Sequence, residues 1–306
     1  MAENRLSVGE RQAFLDEFVR SLEKDGLGAG TIQNYSYGVR KFLEFATNID
    51  DVEHYNNFLL EHAVQKRSYY YYEALKKFAR VALRKDKQAL RHILHNLLKP
   101  QKKDPERGYK FIDKDVSENV IASLTTFKHR IIARMQYELG KRVGDILRLT
   151  KECFQTDATN ADEPLLVINF ITKGEKRHTM WVYNPELSAD IQRFVAATQG
   201  STRIFVDESI SNEGANAYTM MRTNYKRYWI DLKQALRNNG VAFKDWATHD
   251  WRRAYARRVW DKYKDLNVLK EALGHSDVGS TIKYLRTSGL TNKDVLRELN
   301  DDKNHT

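Results

Sequence analysis

Four short stretches of the chain carry side chains that could gather around an anion. LGKRVGDILRLT places Arg142 at the start of an amphipathic helix, with Asp145 one turn on. An arginine there meets the positive end of the helix dipole, so a negative group must settle it, either Asp145 or a bound phosphate. TKGEKR sets Lys173 at the tip of a turn, where a lysine is ordinarily a solvated cation. ATHDWRRAYARR puts His249 and Arg252 on one helix face. A charged imidazole would repel that guanidinium, so the two make better sense converging on an anion. EALGHSDVGSTIKYLR holds His275 after a glycine turn and Tyr284 further along. Each has a plain structural alternative: a surface ion pair at Arg142, a solvated Lys173, a packed Tyr284.

The elements that would position these groups follow from apolar spacing. The first ~100 residues read as helices only. Phe14, Phe18 and Leu22 form one stripe, and a break at Gly26–Gly30 follows. Thr31 precedes a second helix with Tyr35, Phe42 and Phe45. A third helix covers roughly 50–64, a fourth begins near Ser68, and a fifth runs over about 88–98. Four consecutive tyrosines, Tyr69 to Tyr72, cover every side of a helical turn, so core packing accounts for about half of them. LKPQKKDPERG, with Pro100 and Pro105, reads as a basic linker over 100–108 between domains at 1–99 and 109–306. Beyond it, Phe127–Leu139 is an apolar helix. PLLVINFITK, interrupted only at Asn169, and HTMWVYN read as a β-hairpin around the turn GEKR. Helices follow at about 185–198, 217–238, 249–262, 267–273, 280–286 and 292–299. The fold class is mainly α with a small β-sheet.

Composition narrows the partner. The 306 residues are 41% hydrophobic and 30% charged, enough apolar material for true cores. Lysine and arginine total 51 against 41 acidic residues, a net charge of +10 that suits a polyanion such as nucleic acid. The single cysteine, Cys153, makes neither an internal disulfide nor a multi-cysteine zinc site, and its apolar neighbours suggest a buried thiol. The polar N-terminus and the lack of a long apolar run suggest a soluble, cytoplasmic, DNA-associated protein with no membrane partner.

Singly the motifs are weak; their ordered set of Arg, Lys, His-x-x-Arg, Gly-His and Tyr is strong. Through it the chain resembles the tyrosine recombinase (phage integrase, Xer-like) family. LGKRVGDILRL is similar to the family's first arginine box, THDWRR to its His-x-x-Arg box, and LGHSDVGSTIKY to its final box. GLGAGTIQNYSYGVRKFLEF resembles its core-binding domain. Three positions depart from the family pattern: Lys141 stands where an apolar residue is usual, Arg253 where a histidine is common, and Arg286 where many relatives have a histidine.

The resemblance implies an all-helical (SAM-like) core-binding domain and a mixed α/β catalytic domain closing on DNA as a C-shaped clamp. It implies site-specific recombination through a 3′-phosphotyrosine, serving integration, excision or dimer resolution of a mobile element or replicon. Tyr284 would be the nucleophile, Arg142 and Arg252 the phosphate clamp and Lys173 the general acid. His249 and His275 would complete the shell, with Asp145 in support. The types suit the task. Two arginines meet the charge that develops on the non-bridging oxygens with fixed donors. A phenol of pKa ~10 needs a neighbouring histidine to attack at neutral pH. A lysine beside arginines can protonate the leaving 5′ oxygen. The covalent intermediate keeps the bond energy, so rejoining needs no ATP, and a site with its own cations needs no metal or other cofactor. The implied partners are double-stranded DNA, a homotetramer on two sites that passes through a Holliday junction, and accessory DNA-bending proteins. Lys66, Arg67, Lys102, Lys103, Lys176 and Arg177 are candidate phosphate contacts, with simple solvation equally open. The last helix, with Leu290, Val295, Leu296 and Leu299, would dock on its own domain or on a neighbouring protomer. Two other functions remain beside recombination: a type IB topoisomerase, and a non-catalytic DNA-binding regulator on the same scaffold.

Overall fold

The computed structural model describes residues 6–62, 68–100, 113–159, 164–171, 177–198, 203–207, 217–242 and 246–286. The chain divides into two compact units, Met1–Pro105 and Glu106–Thr306. The described part of the first unit is helical: α1 (Val8–Lys24), α2 (Ala29–Phe45), α3 (Val52–Glu61), α4 (Ser68–Ala82) and α5 (Lys87–Asn96). Local sequence sets several of their starts. Ser7 and Glu10 form a reciprocal capping box on α1, at 3.2 and 2.8 Å. Asp51 and Asp86 accept first-turn amides of α3 and α5. Helix α2 begins earlier than the glycine-rich break suggests. The Gly28 carbonyl takes the amides of Thr31 and Ile32, so Gly30 and Thr31 lie inside the first turn. Its first amides need no intrahelical partner, so glycine is tolerated there.

The core of this unit is aromatic. Phe18, Phe42, Phe58 and Phe78 are fully buried, and the Phe78 ring meets those of Phe18 and Phe42 edge-on at 5.8 and 5.9 Å. Of the four tyrosines on α4, Tyr71 and Tyr72 are buried, Tyr69 is half-buried and Tyr70 is exposed.

The second unit contains α6 (Lys114–Ala122), α7 (Phe127–Glu138), α8 (Val143–Ile146), a 3-10 turn (Lys151–Cys153), β1 (Phe154–Asp157), β2 (Leu165–Ile171) and β3 (Arg177–Val182). It continues with α9 (Pro185–Ala197), α10 (Ala217–Asn238), α11 (His249–Tyr263), α12 (Leu266–Leu273) and α13 (Val278–Arg286). The expected hairpin is present, with β2 and β3 antiparallel and Ile168 opposite Met180. A third strand, β1, was not legible: FQTD carries no apolar alternation. It forms because β2 offers it an edge, and Asn169, the polar break in β2, bonds Gln155 of β1 and Thr179 of β3. Helix α6 also escaped the apolar pattern, being short and started by the Asp113 cap. The helix expected from Arg142 is a single turn, Val143–Ile146.

The main core joins Ile131, Ile132 and Met135 of α7, Ile168 and Phe170 of β2, Leu187 of α9, Leu232 and Leu236 of α10 and Trp251 of α11. A smaller cluster of Ala256, Trp260, Leu269, Leu273 and Leu285 ties α11, α12 and α13, and Tyr284 packs partly against it. Cys153 is buried and free. No helix among the described residues is long and apolar enough to cross a membrane. Lys66, Arg67, Lys102, Lys103, Lys173, Lys176 and the last helix lie outside the described residues, as does nearly all of the expected linker.

Replacing Phe78 by alanine removes a ring shared by three helices. The expected loss is about 3–5 kcal/mol of unfolding free energy, read from urea denaturation.

Candidate active site

Helix α11 carries a deeply buried charge. Arg252 is 1% exposed. Its Nη1 donates to the Gly140 carbonyl at 2.6 Å, and its Nη2 donates to the Leu273 carbonyl at 2.6 Å and to His275 Nε2 at 3.1 Å. Burial first, then the charge of Arg142, lowers its pKa to about 10, which leaves it protonated at neutral pH. Two glycines let the backbone come this close. Gly140 has φ +63 and lies under the Tyr255 ring; Gly274 has φ +65 and lies against His178. A Cβ at either would fall within 2.5 Å of a ring atom, and positive φ disfavours any side chain there.

Arg142 sits as the N-cap of α8 with no side-chain capping bond. Its Nη1 lies 3.8 Å from the buried carboxylate of Asp145, and Arg148 reaches the other oxygen at 3.1 Å. The single turn of α8 thus holds one buried acid against two part-exposed arginines. At 3.8 Å the Arg142 contact is an ion pair and no hydrogen bond, which leaves its donors for another anion.

His275 and Tyr284 complete the patch. Arginine can only donate, so His275 Nε2 accepts from Arg252 and Nδ1–H donates to Thr281 Oγ1 at 3.1 Å. The imidazole is thereby fixed in one neutral tautomer, and burial followed by the charges of Arg252 and Arg142 lowers its pKa to about 4. The Tyr284 ring lies 5.7 Å from the Arg252 guanidinium and 5.6 Å from the His275 ring. Its hydroxyl donates to the His249 carbonyl at 3.5 Å. Burial raises the phenol pKa, opposed by Arg252, Arg253 and Arg142, so the hydroxyl is protonated at neutral pH. His249 opens α11 and is reached by solvent, yet the protein around it and the three arginines still lower its pKa. The turn before it is fixed from below. Tyr228 donates to Gln136 at 2.8 Å, and Gln136 donates to the Thr248 carbonyl at 3.2 Å.

Arg142, Asp145, His249, Arg252, His275 and Tyr284 are therefore brought into one patch. Arg177 is exposed at the start of β3, and Lys173 lies outside the described residues. Two members escaped functional notice in the sequence. Lys141, 1% exposed, places Nζ 2.5 Å from His178 Nδ1 and 4.9 Å from the centre of the Phe170 ring. The usable signal was a lysine in a position that is ordinarily apolar. His178 gave none, since alternation in a strand does not separate a site histidine from a packed one.

The family model described as the phage integrase family matches residues 110–289. The chain belongs to the phage integrase family. It is accordingly a tyrosine recombinase, an enzyme of site-specific DNA recombination. It is 23% identical over 294 residues to tyrosine recombinase XerA of Pyrococcus furiosus, covering 95% of both chains. It is 24% identical over 296 residues to the XerA of Thermococcus kodakarensis, covering 92% of this chain and 93% of that one. Among solved structures it resembles XerH bound to its difH substrate before cleavage (TM-score 0.63, 15% identity, 96% of this chain and 84% of that one). A lambda integrase dimer bound to a COC′ core site is similar too (TM-score 0.66, 14% identity, 95% of this chain and 80% of that one). At these identities the likeness is one of fold.

The two depressed imidazoles predict acid sensitivity of this integrase-family chain. His178 is also lowered to about 4, by burial and then by Lys141 and Arg252. Unfolded histidines take up protons as pH falls through ~6.5, whereas these two stay neutral in the folded chain until near 4. Acid therefore favours the unfolded state in that window. The urea midpoint should fall from pH 7 to pH 5, and His275→Asn should fall less steeply. Parallel curves for the two chains would show that His275 titrates normally.

Proposed function

We propose that the chain cuts and rejoins double-stranded DNA through a covalent bond to Tyr284, with Arg142 and Arg252 binding the scissile phosphate. One observation carries this reading: the Tyr284 ring packs against both the Arg252 guanidinium and the His275 ring. A phenol in that place reaches phosphorus when a phosphate spans the two arginines. Tyr284 Oη attacks, the bond from phosphorus to the 5′ oxygen breaks, and a 3′-phosphotyrosine and a free 5′ hydroxyl result. Preorganised guanidinium donors stabilise the charge that builds on the non-bridging oxygens. His275 has both ring nitrogens engaged, so it holds Arg252 and cannot take the phenol proton. The solvent-reached, neutral His249 is the acceptor. Lys173 is the general acid for the leaving oxygen by its place in the family pattern. Asp145 orients Arg142. Rejoining reverses these steps with the hydroxyl of a partner strand.

The first unit is the core-binding domain in this reading, and the segment around Pro100 links it to the catalytic unit. Lys66, Arg67, Lys102, Lys103, Lys176 and Arg177 add phosphate contacts. Four protomers would exchange strands on two sites, in the soluble compartment that holds the DNA. A lambda integrase has been solved as a tetramer on a Holliday junction, and XerH on its difH substrate before and after cleavage.

A nicked suicide duplex made from DNA flanking the gene, incubated with the chain in EDTA without ATP, tests the nucleophile. A covalent protein–DNA band is expected with the wild type and is absent with Tyr284→Phe. Bands of equal strength would remove Tyr284 from its role, and binding without any band would favour a non-catalytic regulator. Arg252→Lys keeps a cation but loses the fork of donors, and its cleavage rate should drop by about two to three orders of magnitude, measured in the same assay.

A further inference from the structure

Near the two arginines lies a buried basic group that this chemistry does not use. Lys141 is buried and immediately precedes Arg142. The charged groups facing it are Arg142 and Asp145 on α8, Arg252 on α11 and His178 on β3. Asp145 is already shared by Arg142 and Arg148. Burial, followed by Arg252, outweighs the help of Asp145, and the amine pKa falls to about 6. It is thus neutral at physiological pH. His178 cannot hold the missing proton, because burial, Lys141 and Arg252 all disfavour its charged form. An ammonium can only donate, so a charged Lys141 would give an N–H to His178 Nδ1, 2.5 Å away.

The free pocket is therefore short of one proton at a point where the geometry has a good place for it. An ammonium at Lys141 would keep its bond to His178 Nδ1 and face the Phe170 ring. What it lacks is a negative charge nearby, and a phosphodiester across Arg142 and Arg252 supplies one. We propose that Lys141 is a positioning residue that takes up a proton from solvent when the phosphodiester docks, becoming a third cation near Arg142 and Arg252. The inference rests on the assignment of those two arginines to the phosphate. The one bond formed is an N–H of the ammonium, its proton given up by water or buffer. Lys141 acts through its neighbours: the carbonyl of the Gly140–Lys141 peptide receives Arg252 Nη1, and His178 braces the Gly274 turn that precedes His275.

The test uses the full chain with Tyr284→Phe, so that binding is separated from cleavage, and a duplex recovered from a random-sequence pool by selection on that chain. Calorimetric titration at pH 7.5 in Tris and in HEPES gives the protons taken up from the dependence of apparent heat on buffer. Lys141 in place should add roughly one proton to the uptake, and Lys141→Met should lose that increment. Lys141→Arg, which enters already charged, should bind without it. Equal uptake with and without Lys141 would overturn the proposal. Should the methionine variant fail to fold, the Lys141 chain still decides. Its affinity should weaken by up to about tenfold per unit as pH rises from 6.5 to 8.5, and a flat profile there would sink the idea. A chain that forms the phosphotyrosine yet takes up no proton loses this inference alone. Uptake at Lys141 without a phosphotyrosine supports it and removes only the nucleophile.

Discussion

Arg252 is a cation with almost no access to solvent, and much of the catalytic unit is arranged around meeting its donors. A buried charge is tolerated only where hydrogen bonds replace lost water. Here the replacements come from three places: the turn between α7 and α8, the end of α12, and the histidine that follows. Two of these acceptors are backbone carbonyls beside glycines with positive φ, so side chains cannot intrude. One guanidinium thereby joins segments far apart in the chain. Among the described residues three of its five N–H groups are met, and its Nε has no partner.

The same burial explains the ionisation of everything around it. Arginine keeps its proton under almost any pressure, whereas lysine, histidine and tyrosine yield. Lys141, His178, His249 and His275 are each held toward their neutral forms, and Tyr284 stays a phenol. Without an anion the patch carries its positive charge mainly on Arg142, Arg252 and Arg253. Binding an anion changes the balance at every one of these groups at once.

The first unit shows the contrasting case. Its core is built on phenylalanine rings meeting edge-on, and among the described residues it holds no buried charge. Such packing gives stability and shape but no chemistry, which fits a unit that holds helices in place. The small cluster around Trp260 in the second unit is similar in kind, yet it has a use near the site. It packs α13 against α11 and so fixes where Tyr284 can be.

Most helices were legible in the sequence because apolar residues recur at helical spacing, as with Phe14, Phe18 and Leu22 of α1. The hairpin of β2 and β3 was legible for the same reason, as alternation and an apolar run bounded by a turn. The residue types of the patch were legible as an ordered set, since phosphate chemistry restricts which side chains serve. Strand β1 and the single turn of α8 were not, because a polar strand forms only when an edge is offered and short helices rest on tertiary contacts. Nor could the sequence show that Arg252 is buried while Arg142 is open, or that Lys141 meets His178 across 37 positions of chain. Those facts depend on which backbone carbonyls and rings surround each side chain. Residue type sets what a group can do, and its solvation, which only the folded chain defines, sets the ionisation state in which it does it.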